Sequence, residues 1–115
     1  MEQLEQCLTQ FSDKVNQNAR LKGVLRGWDR VMQIEATDTP DERFVMEFRG
    51  SAVVSVARGN AESPPIVMRA ERRLLIDIFA GTTNPAMAFL DGDLQIFADD
   101  RDQIKLDAIS LLLWD

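Results

Sequence analysis

Histidine and tyrosine are absent from the sequence, and cysteine occurs once. The side chains that most often hold zinc or move protons near neutral pH are therefore missing or single. Cys7 has no second thiol to pair with, which excludes an intramolecular disulfide and gives no sign of an oxidising compartment. No apolar run approaches the roughly 18 residues of a membrane span, and the stretch MEQLEQCLTQFSDKV lacks the basic start and apolar block of a secretory signal. Positive charge is in deficit as well: 13 Lys and Arg face 19 Asp and Glu, a net charge of −6. That balance disfavours loose attraction to nucleic acid or anionic lipid surfaces. The expectation is a cytoplasmic protein with no nucleic-acid partner and no integral membrane segment, whose affinity for any lipid must come from apolar burial.

What is present suits one domain over residues 1–115, long enough to bury a core without staples. Leu4, Leu8, Phe11 and Val15 recur at helical spacing and predict one helix over about 1–25, ended by Gly23 and Gly27. RVMQIEA then alternates, Met32, Ile34 and Ala36 against a wet face of Val31, Gln33 and Glu35. RFVMEFRG and SAVVSVARGN follow across short turns, which predicts an antiparallel meander. IVMRAE reads as a fourth strand, RRLLIDIFAG as a helix stopped by Gly81, and LQIFAD as a fifth strand with Leu94 and Ile96 on one face. Between the last two, Asn84 is placed to cap a short helix that opens on Pro85 and closes at Asp91-Gly92. RDQIKLDAISLLLWD supplies a terminal helix with Asp100 or Asp102 near its start. The fold class is α+β, with helices on one side of a mainly antiparallel sheet.

Catalytic groups are hard to assemble. Asp38, Asp41, Glu42, Asp91, Asp93, Asp99, Asp100 and Asp102 fall in turns or at helix starts and are read as solvated turn and capping residues. The acidic runs around Asp91 and Asp99 match no twelve-residue calcium loop. Gly-Thr-Thr-Asn at 81–84 lacks the second glycine and the lysine of a phosphate loop. Cys7 sits among apolar helix positions and is read as a small core residue. No catalytic residue, metal or cofactor is expected, and the protein is read as a binder and not an enzyme.

Apolar residues, by contrast, occur where one core cannot absorb them all. The last helix carries Ile104, Leu106, Ala108, Ile109, Leu111, Leu112, Leu113 and Trp114, more than one buried stripe holds. The surplus, Leu111 or Trp114, needs a second partner: a neighbouring element, a second copy of the chain, or an internal cavity. Met87, Phe89 and Leu90 pose the same choice on the short helix.

The order of elements resembles the sterol carrier protein 2 family of lipid-binding domains. The family's run Gly-x-x-x-Pro-x-x-Ala-x-x-x-Gly-x-Leu-x-Ile stands here as Gly81, Pro85, Ala88, Gly92, Leu94 and Ile96. The turn after the fifth strand differs, Phe97-Ala98-Asp99-Asp100 replacing a frequent Lys-x-x-Gly-Asp. The resemblance implies a five-stranded sheet covered on one face by helices, enclosing an apolar tunnel for an acyl chain, acyl-CoA, sterol or isoprenoid. The apolar faces expected to line it are Phe44, Met46 and Phe48 on a strand, with Leu75, Ile78 and Phe79 on the first covering helix. Met87, Phe89 and Leu90 are expected from the short helix, and Ile109, Leu112 and Leu113 from the last. The competing expectation is a homodimer or partner-enzyme contact through the C-terminal helix, or an accessory subunit that presents an apolar substrate.

Overall fold

The computed structural model describes residues 3–114. The elements run α1 (Gln3–Gln17), α2 (Ala19–Val24), β1 (Arg30–Ala36), β2 (Arg43–Arg49), β3 (Ala52–Arg58), β4 (Ile66–Ala70), α3 (Arg72–Phe79), α4 (Pro85–Leu90), β5 (Gln95–Phe97) and α5 (Asp100–Leu113). The helix predicted over 1–25 is two helices, and its first two positions lie outside the described residues. Asn18 makes the break. Its backbone is extended and its side chain accepts from the amides of Arg20 and Leu21, so a second helix starts where the first would have continued.

The strands form one sheet in the order β3-β2-β1-β4-β5. Every neighbouring pair is antiparallel except β1 and β4, which run parallel. That one parallel pair follows from the path of the chain, because β4 returns to the far edge of β1 after the meander has closed on the other. Residues opposite one another share a face: Met32 stands against Met46 and Ile66, and Ile34 against Phe44 and Met68. These side chains are buried under the helices. On β3 the alternation slips at a bulge between Glu47 and Phe48 of its partner. The extra residue lets Val53 and Val56 both face inward while Val54 is exposed.

Three polar residues depart from the wet-face expectation because each has partners enough to be buried. Gln33 is 2% exposed. Its amide donates to the carbonyls of Phe44 and Gly59 and accepts from Ala61, which seats the loop after β3 on the outer sheet face. Glu42 is held by Arg58 at 3.0 Å and Arg72 at 2.8 Å. Asp102, 1% exposed, accepts from the indole of Trp28 at 2.8 Å and from Arg30 at 2.9 Å. Its own amide is capped by Asp99, the residue before α5.

Removing the Asp102 carboxylate would strand a buried indole N–H and a guanidinium that is one-third exposed. Asp102→Ala should therefore cost about 2–3 kcal/mol, below the full penalty of a buried pair because water still reaches Arg30. An unshifted urea midpoint in the variant would contradict this account of the α5 anchor.

Glu42 generates an acid-stability prediction. Burial alone would raise its carboxyl, but hydrogen bonds from Arg72 and Arg58 outweigh burial and hold it below its ordinary value of 4.5. The folded chain thus binds this proton less tightly than the unfolded one. Its contribution to stability is present above the ordinary value and is lost as pH falls through the depressed one. Glu42→Gln should flatten the acid limb of a stability–pH curve, and an acid limb of unchanged slope would count against it.

Candidate functional site

The helices do not cover the apolar face evenly. α1 lies over the β3 side and against α3, where Phe11 meets Phe79 edge-on with ring centroids 5.1 Å apart. Toward β4 and β5 the cover consists of α4 and α5. α4 is only six residues long, opening on Asn84, whose side chain accepts from the Ala86 amide at 2.8 Å, with Pro85 at its first position. It closes at Gly92, whose φ of +83° suits glycine, and the carbonyl of Ala88 accepts from both Asp93 and Leu94. Leu94 is thereby tucked into the core directly before β5.

α5 is fastened at both ends. Asp102 ties its start to Trp28 and Arg30. At its far end the Trp114 indole donates to the carbonyl of Ile78 at 2.7 Å and stacks on Phe11 with centroids 5.3 Å apart. Between these anchors lies a cavity of about 470 Å³. Its floor is Met32, Phe48, Met68 and Ile96, one residue from each of four adjacent strands. Phe11, Ile78 and Phe79 close one side, and Leu106, Ile109 and Trp114 another. Phe89, Leu90 and Leu111 also line it while being exposed at 41%, 77% and 67%, so they form a rim where the cavity meets solvent. The polar lining is Asn84, Gln103, Asp107 and Ser110.

Of the twelve residues expected from sequence to line a tunnel, Phe48, Ile78, Phe79, Phe89, Leu90 and Ile109 meet at this cavity. The other six are elsewhere. Phe44, Met46 and Leu75 are fully buried in the core, on the right faces but packed under helix and not at the gap. Met87 points away from the lining and is 57% exposed, while Leu112 and Leu113 pack part-buried against the core. The expected set lacks Phe11, Met32, Met68, Ile96 and Leu106, and Trp114, for which an internal cavity was one of three partners left open by the sequence, lines the cavity as well. A signal existed for the strand residues: Met32, Met68 and Ile96 lie on the dry face of their strands. Which part of that face stays uncovered is a tertiary matter.

Cys7 is buried in α1, and burial is the main cause that pushes its thiol above the ordinary value, with Asp77 adding to it. That is the condition of an inert core thiol. Among the described residues no helix is long and apolar enough to cross a membrane.

The model of the SCP-2 sterol transfer family matches residues 4–99. Comparison with curated protein sequences returned no match. Among solved structures, the UbiJ-SCP2 ubiquinone synthesis protein aligns with a TM-score of 0.69 at 15% identity, over 91% of this chain and 90% of that one. The palmitated SCP2L2 of Aedes aegypti aligns with a TM-score of 0.60 at 18% identity, over 87% and 90%. The stereoselective inverting sec-alkylsulfatase Pisa1 from Pseudomonas sp. aligns with a TM-score of 0.60 at 16% identity, over 82% of this chain. This chain spans only 14% of that enzyme's length. At such identities these likenesses speak for the fold.

Proposed function

The chain belongs to the SCP-2 sterol transfer family, and from that premise we propose that it is a cytoplasmic, non-catalytic carrier of an apolar lipid. On this reading residues 1–115 act as one domain, and the ligand lies in the cavity between the sheet, α4 and α5. The observation that carries the reading is the cavity itself: about 470 Å³ with a floor of four apolar side chains and an apolar rim. That volume falls within the range of about 300–1,000 Å³ usual for small-molecule sites. Burying ten methylenes there would supply about 8 kcal/mol before the costs of association, so a long chain needs no charged contact to be held. The palmitated relative supports an acyl-type occupant for this fold.

The proposed binding residues are Phe48, Ile78, Phe79, Phe89, Leu90 and Ile109, joined by Met32, Met68, Ile96, Leu106 and Trp114. Among the described residues Asp107 is the one ionisable side chain in the lining, too little for acid–base chemistry without a partner. The exposed apolar rim favours a second role alongside the first. Leu90 and Leu111 are placed to meet a lipid surface or an enzyme when the ligand changes hands.

Native mass spectrometry of the protein offered hexadecanol tests the reading. Binding at one-to-one stoichiometry is expected. Phe89→Glu should weaken it at least tenfold by placing a charge at the mouth, whereas Met87→Glu, off the lining, should not. No uptake by the unaltered protein, or equal loss in both variants, would sink the proposal.

A further inference from the structure

The exposed apolar side chains and the net charge of the chain gather in the same place. Of the seven large apolar residues exposed among the described residues, Met87, Phe89 and Leu90 stand on α4, and Ile104 and Leu111 on α5. Positions 81–115 hold seven acidic and two basic residues, a net charge of −5 against −6 for the whole chain. Before them, Glu5, Glu35, Glu42, Glu47 and Asp77 are each paired with an arginine. Asp91, Asp93, Asp100 and Asp107 are exposed, and among the described residues none of the four forms an ion pair. Lys105, one of the two cations nearby in sequence, donates to the carbonyl of Val24 instead.

The inner side of α5 is occupied: Ile109 is buried, and Leu106, Leu112 and Leu113 pack against the core. Ile104, Ala108 and Leu111 follow one another by four and three positions on the outer side, the spacing of a seam that receives a second helix. Asp100 and Asp107, seven apart, run beside that seam. Across the cavity mouth Phe89 and Leu90 continue the apolar surface onto α4, and Asp91 and Asp93 follow directly. A second copy seated symmetrically on this face would set the carboxylates against themselves, and an anionic bilayer would repel them. A neutral bilayer would take up the apolar side chains and give the carboxylates nothing in exchange for water. A helix with leucines in its stripe and lysine or arginine on its flanks satisfies both. We propose that α4 and α5 form a docking surface for another protein that presents such a basic amphipathic helix, which brings the cavity mouth against that protein. Docking stands on exposure and charge, and rests on the carrier reading only for the cargo that would pass.

The test offers the full chain two synthetic helical peptides of about three heptads with the same leucine stripe, one flanked by lysine and one by glutamate. The lysine peptide should bind at least about tenfold tighter, and the preference should shrink in about 1 M salt. Amide NMR shifts should fall on α4 and α5. Ile104→Ser should weaken binding about tenfold by removing a buried contact, and Asp100→Asn combined with Asp107→Asn about threefold. Val54→Ser and Asp13→Asn, exposed on other elements, should leave it unchanged. Equal binding of the two peptides, or equal loss in all the variants, would overturn the inference. So would a dimer in sedimentation that Ile104→Ser dissolves, or binding to phosphatidylcholine vesicles that it abolishes, because a second copy or a bilayer would then occupy the face. Hexadecanol uptake by the unaltered protein keeps the two readings apart: uptake without peptide binding defeats docking alone, and peptide binding without uptake defeats the carrier alone.

Discussion

The Asp102 carboxylate fixes where the start of the last helix sits on the sheet, and the position of that helix decides whether the sheet has a cavity above it. Two donors from the β1 side, the Trp28 indole and Arg30, converge on one buried acid in the first turn of α5. There the exposed amides of a helix start also favour negative charge. Twelve residues later the Trp114 indole fastens the other end to Ile78 and stacks on Phe11. A helix held at its two ends by directional bonds does not have to collapse onto the sheet between them. The space beneath its middle is left to a ligand.

The sheet order explains why that space occurs on one side. With β1 central and β3 and β5 at the edges, α1 covers the β3 half of the apolar face. The β4 and β5 half is left to a six-residue helix and the strapped α5. The rows that run across the sheet, Met32 with Ile66 and Ile34 with Met68 and then Ile96, pass from closed core to cavity floor without changing chemistry. Burial in the core and exposure to a ligand are the same property of these side chains in two places.

The elements were largely legible in the sequence because local rules dictate them. Asn84, Pro85 and Gly92 bound α4 through capping, a preset φ and a positive φ. The alternation of β1, β2 and β4 marked the dry face. Less legible was anything that depends on a distant partner. Gln33, Glu42 and Asp102 look like surface residues until loop, arginine or indole partners 11 to 74 positions away are brought to them. Half of the expected lining missed the cavity for the same reason: Phe44 and Met46 share a face with Met32, yet only the packing of helices shows which of the three is left uncovered. Asn18 was a local signal left unread, and it splits the first helix.

The account's central claim is that the uncovered part of the sheet is where an apolar ligand resides. Methionine methyl resonances report on this directly, because Met32 and Met68 line the cavity, Met46 is buried away from it, and Met87 is exposed outside. A titration with hexadecanol followed by methyl NMR should shift Met32 and Met68, with cross-relaxation to the alkyl chain, and leave Met87 nearly unmoved. Shifts confined to Met87, or cross-relaxation to the chain at Met87 and at neither lining methyl, would place the ligand on the surface and contradict the account.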